Sequence, residues 1–157
     1  MARIVITLFV SFLMTAHINS LKYEFPDADA REISIRKTGC HEKEGVSIEL
    51  AVEYTSEHSE NFDQLVEANP KLKCLAICLY EVTNTMDGCT STISDQLREM
   101  VKGNPVKEAM MAKFEECSSN LIGTDRCECG YQIDKCVTDW MNKEIELENE
   151  NENEKEE

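Results

Sequence analysis

Eight cysteines, at positions 40, 74, 78, 89, 117, 127, 129 and 136, constrain what this chain can fold into more than any other feature. In a small exported protein an even count reads as a disulfide framework. The first residues signal export. Met1-Ala2-Arg3 supplies one positive charge, Ile4 to Ala16 is an almost unbroken apolar run, and a small residue stands at Ser20. That is the layout of a signal peptide. The run covers 13 residues, against the roughly 20 that a membrane-spanning helix needs. Cleavage is expected after Ser20, with Ala16 as the alternative, and no later segment is apolar enough to span a bilayer.

Zinc is the rival use of such cysteines. Cys127-Glu128-Cys129 and Cys74-x-x-x-Cys78 match the paired C-x-x-C spacing of structural zinc sites poorly, and no histidine lies close to either pair. No metal site and no cofactor are expected. With no C-x-x-C, thiol redox catalysis is not expected either. Eight cysteines allow 105 pairings. Cys74 and Cys78 lie one turn apart on one helix face, so they can clamp two different elements to it. Cys127 and Cys136 fall on opposite sides of a helix and do not pair with each other.

Charge narrows the partners. Removing residues 1–20 takes away Arg3 and no acid, which leaves 15 basic and 31 acidic residues and a net charge of −16. Nucleic acid and anionic membranes both call for a basic surface, so neither is an expected partner. From Glu144 the chain reads EIELENENENEKEE, eight glutamates and one lysine. Such a run buries little apolar surface and repels itself. The expected organisation is a signal peptide over 1–20, an ordered domain over 21–145 and an acidic disordered tail over 146–157.

Apolar spacing within the domain is helical. Leu72, Leu75, Leu79, Val82 and Met86 share one face of a helix that Pro70 starts and Asp87-Gly88 ends. Ile93, Leu97, Met100 and Val101 form a second stripe, capped by Ser94 or Thr92 and closed at Gly103. Pro105 opens a third helix with Val106, Met110, Phe114 and Cys117 on one face. Ile133, Val137, Trp140 and Met141 mark a fourth, which frays into the acidic tail. Asp29 to Thr38 reads as a helix. Ser47 to Tyr54 reads as a short helix rather than a strand without a partner, and Phe62, Leu65 and Val66 as a helical turn. The fold class is all-α, with about six helices stapled by three or four disulfides.

Six of the cysteines, at 40, 74, 78, 117, 127 and 136, are separated by 33, 3, 38, 9 and 8 residues. This pattern resembles the insect odorant-binding and pheromone-binding protein family. The local residues agree. Cys40-His-Glu-Lys-Glu-Gly-Val-Ser is similar to the segment after that family's first cysteine. Lys73-Cys74-Leu-Ala-Ile-Cys78-Leu-Tyr-Glu is similar to its central helix, and Cys127-x8-Cys136 to its last helix. The resemblance covers about residues 28 to 140. It implies six helices around an internal apolar cavity and an interlocked pairing, Cys40–Cys78, Cys74–Cys127 and Cys117–Cys136. It also implies non-enzymatic carriage of small apolar molecules such as odorants or pheromones, by a monomer or homodimer, with a chemosensory receptor as a further partner. Cys89 and Cys129 depart from the pattern, and a bridge between them is the simplest assignment. An unbroken helix from Cys74 to Met86 would carry Cys89 about 20 Å along from Cys74. The bridge therefore requires that helix to end near Thr83-Asn84, or the last helix to start after Cys129.

A carrier pocket is mostly apolar with a few orienting polar groups. The inward stripes supply Leu72, Leu79, Leu97, Met100, Val101, Met110, Phe114, Ile133, Val137 and Trp140 as ligand-binding candidates. Ordinary core would use the same residue types. Methionines 86, 100, 110, 111 and 141 add adaptable apolar surface. Tyr54, Tyr80 and Tyr131 are candidates for the polar handle. An acidic tail does not enter an apolar cavity, so no C-terminal plug is expected. With only His41 and His58 beyond the leader, neither is a histidine cluster that switches with pH. No catalytic residue is expected, since no G-x-S-x-G or H-E-x-x-H motif occurs. A secreted factor that binds other proteins, built on the same scaffold, is the alternative reading.

Overall fold

The domain is organised around two helices that approach closely, α5 (Lys71–Val82) and α8 (Arg126–Asn153). Gly130 of α8 makes the approach possible. A Cβ at this position would lie 2.6 Å from the Ile77 backbone nitrogen and 2.9 Å from the Lys73 carbonyl oxygen. Glycine in a helix interior costs about 1 kcal/mol against alanine; here it lets two backbones nearly touch. The computed structural model describes residues 28–56 and 62–153, the side chains of 144–153 excepted. The leader with its cleavage site, His58 and residues 154–157 lie outside the described residues.

Six shorter helices surround this pair among the described residues: α1 (Ala28–Thr38), α2 (Cys40–Glu44), α3 (Ile48–Tyr54), α4 (Phe62–Ala68), α6 (Asp95–Val101) and α7 (Pro105–Ser119). The helical fold class therefore holds, with short α2 as the helix not foreseen. Local chemistry explains the starts. Ser47 Oγ accepts from the Leu50 N–H at 3.2 Å, and Ser94 Oγ from the Leu97 N–H at 3.2 Å. Asn104 Oδ1 accepts from the Lys107 N–H at 3.0 Å just ahead of Pro105.

Among the described residues, a hairpin interrupts the run of helices. The apolar stripe Leu72–Val82 does not continue to Met86 as expected. The helix stops at Val82, Thr83 caps it, and Asn84 takes a left-handed φ of 54°. The Thr83 hydroxyl turns back on the last turn, where the Leu79 and Tyr80 carbonyls accept from it, and also meets the Thr85 hydroxyl at 3.0 Å. Strands β1 (Met86–Asp87) and β2 (Thr90–Ser91) then pair antiparallel, with Gly88 at φ 55° opening the two-residue turn. Met86 stays buried, at 2% exposure, but from a strand. Of the two ways to bring Cys89 to Cys129, the early helix end is the one used. The last helix starts at Arg126, ahead of both Cys127 and Cys129.

All eight cysteines are paired: Cys40–Cys78, Cys74–Cys127, Cys117–Cys136 and Cys89–Cys129, with Cα–Cα distances of 5.7, 4.2, 5.9 and 5.5 Å. Three of the four bridges end on α8. They tie it to α5, to the hairpin and to α7, and the fourth ties α2 to α5. The last helix does not stop at residue 145; its backbone continues to Asn153. No helix among the described residues is long and apolar enough to cross a membrane.

Candidate functional site

Three apolar clusters fill the interior. The first lies between the N-terminal helices and α5 and is built on Ile35, Tyr54, Phe62, Val66, Leu72 and Leu75. The second joins α6, α7 and α8 through Val101, Met110, Met111 and Met141. The third lies between α5, the hairpin, α7 and α8, with Ile77, Met86, Phe114 and Ile133 at its centre. Ile93 and Val137 touch both the second and the third, so these two are continuous.

The ten apolar candidates divide among these clusters. Leu72 is fully buried in the first, and Leu79 packs against it. Val101 and Met110 are buried in the second, with Leu97, Val137 and Trp140 packed on them. Phe114 and Ile133 belong to the third. Met100 is the exception: at 41% exposure it faces outward and joins none of the clusters. On the short helix α6 the inward line passes through Leu97 and Val101, continuing from Ile93 just before the helix, and Met100 falls beside it. Met111, buried to 4% exposure, was not among the ten.

The tyrosines separate sharply. Tyr54 on α3 and Tyr80 on α5 both donate their phenol hydrogens to the carboxylate of Asp134 on α8, one to each oxygen. This trio links the first cluster, which holds Tyr54, to the third, against which Tyr80 packs. The Tyr80 ring also meets the Phe114 ring edge-on at 5.1 Å. Burial pushes the Asp134 carboxyl above its ordinary range, and the two phenol bonds only partly oppose this. Burial, and then the neighbouring Asp134 charge, raise both phenols well above theirs. Tyr131 has another role. Its hydroxyl donates to Asp63 at 2.8 Å, its ring stacks on Phe62 at 5.9 Å, and Lys73 sits 4.5 Å from the ring centre.

Sequence reasoning missed Asp134, and a signal for it existed. Gly130, Asp134, Val137 and Met141 recur at steps of four, three and four, so Asp134 sits on the inward line of α8. A charged residue on such a line needs partners, and two of the three tyrosines singled out as handles, Tyr54 and Tyr80, are those partners.

Ion pairs fasten the outer layer of the same helices. Arg126 at the start of α8 binds Glu81 at 2.6 Å and Glu44 at 3.1 Å, and its hydrogen bonds hold the Glu81 carboxyl below the ordinary range. Lys135 binds Asp63 at 2.7 Å and lowers that carboxyl in the same way. No group of three histidine, cysteine or acidic side chains among the described residues is placed to hold a metal ion.

Comparison with known proteins agrees with this architecture. No curated protein and no solved structure matches the chain. A family model does, the PBP/GOBP family, over residues 22–139, a span that takes in all eight cysteines and the Tyr54–Asp134–Tyr80 trio. The members of that family are binding and carrier proteins for small hydrophobic molecules, secreted and soluble, rather than enzymes. With three-quarters of its length matched and its six family cysteines paired in the interlocked order, the chain belongs to the PBP/GOBP family of insect odorant- and pheromone-binding proteins.

Proposed function

We propose that this protein is a secreted carrier that encloses a small apolar molecule, an odorant or a pheromone, within its helical shell and moves it through aqueous fluid. The observation that carries the reading is the set of interlocked disulfides on the family's helical frame. Bridges of this kind constrain the unfolded chain, so the shell tolerates imperfect filling that would weaken an unlinked bundle. The ligand's apolar body lies against the continuous second and third clusters, with Met110, Phe114, Ile133 and Val137 as its lining. Methionine-rich walls suit a guest of variable shape. Tyr54 and Tyr80, held by Asp134, offer the polar contact.

Displacement of a fluorescent apolar probe from the chain beyond residue 20 tests the proposal. Alcohols, esters and aldehydes of medium chain length are expected to displace the probe at micromolar concentration, and Phe114→Ala to weaken at least some of them. If no compound in a broad apolar panel displaces the probe, the carrier reading fails, and a factor that binds other proteins takes its place.

A further inference from the structure

Apart from the interior, the face of α8 that meets α7 carries an open cleft of about 450 Å³. Its composition is unlike that of the rest of the molecule. The chain holds 31 acidic against 16 basic residues, yet three lysines line this one cleft, Lys113 from α7 and Lys135 and Lys143 from α8, against a single acid, Asp139. Between them lie Trp140, the only tryptophan of the chain, and the half-cystine Cys136.

The lysines are not equivalent. Lys135 is occupied by Asp63 at 2.7 Å and by Asp139 at 3.8 Å. Lys113 holds one partner on its own helix, Glu116 at 2.8 Å. Among the described side chains Lys143 makes no ion pair, so the end of the cleft beside Trp140 is the end where those side chains compensate positive charge least. The backbone of α8 continues as helix to Asn153, which carries the far end of the glutamate-rich segment about 15 Å onward along the axis.

We infer that this cleft is a second ligand site, distinct from the interior, that takes a carboxylate-bearing amphiphile. The carboxylate is received between Lys143 and Lys113, and the apolar body lies along Trp140 and the Cys117–Cys136 bridge. Aromatic and sulfur surface supplies the contact for the body. The ammonium groups choose the sign of the head group, and they do so against the repulsive background of a chain at −15. The inference does not rest on the carrier reading.

Trp140 makes the test direct, because all indole emission comes from the site. Dodecanoate titrated into the folded chain is expected to change that emission saturably. Dodecanol and dodecylamine are expected to act only at about tenfold higher concentration or more, and added salt to weaken the dodecanoate response. Lys113→Glu combined with Lys143→Glu is expected to lower dodecanoate affinity by about tenfold, the sum of two lost attractions and two new repulsions. Lys37→Glu combined with Lys43→Glu, an equal charge change on α1 and α2, is expected to leave it unchanged. Far-ultraviolet circular dichroism confirms that each variant keeps its helices. The inference is overturned if the alcohol acts as strongly as the carboxylate. It is equally overturned if the cleft variant stays within about twofold of wild type, or if both double variants fall together. Probe displacement by a neutral ligand, measured on the same variants, reads the interior. Its loss or survival judges the carrier reading separately from the cleft.

Discussion

The carboxylate of Asp134 is the residue whose environment is most demanding. It receives two phenols and no cation among the described residues, and burial raises its pKa. Removing either donor leaves part of the carboxylate without a partner, so Tyr54→Phe and Tyr80→Phe are each expected to cost about 1–3 kcal/mol in urea unfolding. Asp134→Ala, which strands both phenols, is expected to cost more than either. The raised pKa also has a sign. In the folded state this group keeps its proton to higher pH than in the unfolded chain. Its contribution to stability is therefore complete below the unfolded value, about 4, and is lost as pH rises through the folded value. Asp134→Asn should improve relative to wild type between pH 4 and 7; a constant difference across that window would contradict the raised pKa. Gly130 makes a second demand. Gly130→Ala forces a methyl group onto the Ile77 backbone and is expected to destabilise by about 1–3 kcal/mol despite the better helix propensity of alanine. For Asp134 the sequence offers only a charge on the inward line of α8, without its partners, and for Gly130 it offers nothing. The role of each is fixed only once the partner helices are known, because it lies in contacts with residue 77 for Gly130 and with residues 54 and 80 for Asp134.

The helices themselves were largely legible, because apolar spacing, Pro70, Pro105, Ser47 and Ser94 act locally. The stretch after Val82 was not. Met86 follows Val82 by four residues and so prolongs the stripe, yet its side chain would be buried equally well from a strand. What ends the helix is the left-handed Asn84 together with the Thr83 and Thr85 hydroxyls, which bond back to the last turn. No apolar pattern reports these. The hairpin is fastened at its far end by Cys89–Cys129, a bridge that spans 40 residues. Replacing both cysteines by serine is expected to lower stability by about 4 kcal/mol, the chain-entropy value for a loop of that length. The other three bridges should survive. Urea denaturation and a non-reducing peptide map check the two halves of this expectation. Re-pairing of the remaining six cysteines would mean that the fourth bridge directs the others.

At the scale of the whole molecule, the six-cysteine spacing carried the pairing and the family, and the two additional cysteines paired with each other as the simplest assignment had it. The interior arrangement was only partly legible. Nine of the ten apolar candidates lie in or against the clusters and Met100 does not, because a stripe read on a short helix leaves its edge positions open. Acid acts on the molecule in two opposing ways. Glu81 and Asp63, lowered by Arg126 and Lys135, stabilise the fold above the ordinary carboxylate range, and that contribution fades as pH falls through their folded values. Glu81→Gln should therefore cost more at pH 7 than at pH 4, the opposite trend to Asp134→Asn. The convergence of three bridges on α8 also bears on how the protein is made. If the chain is secreted as proposed, it meets an oxidising compartment from its N-terminus, and Cys40–Cys78 is then the only native bridge that can close before residue 127 arrives. Until then Cys74, Cys89 and Cys117 are all present without their native partners and free to pair with one another or with the first pair. Complete native pairing must wait for the last helix, and oxidative refolding of the reduced chain is expected to be faster with a disulfide isomerase that reopens whatever forms too soon.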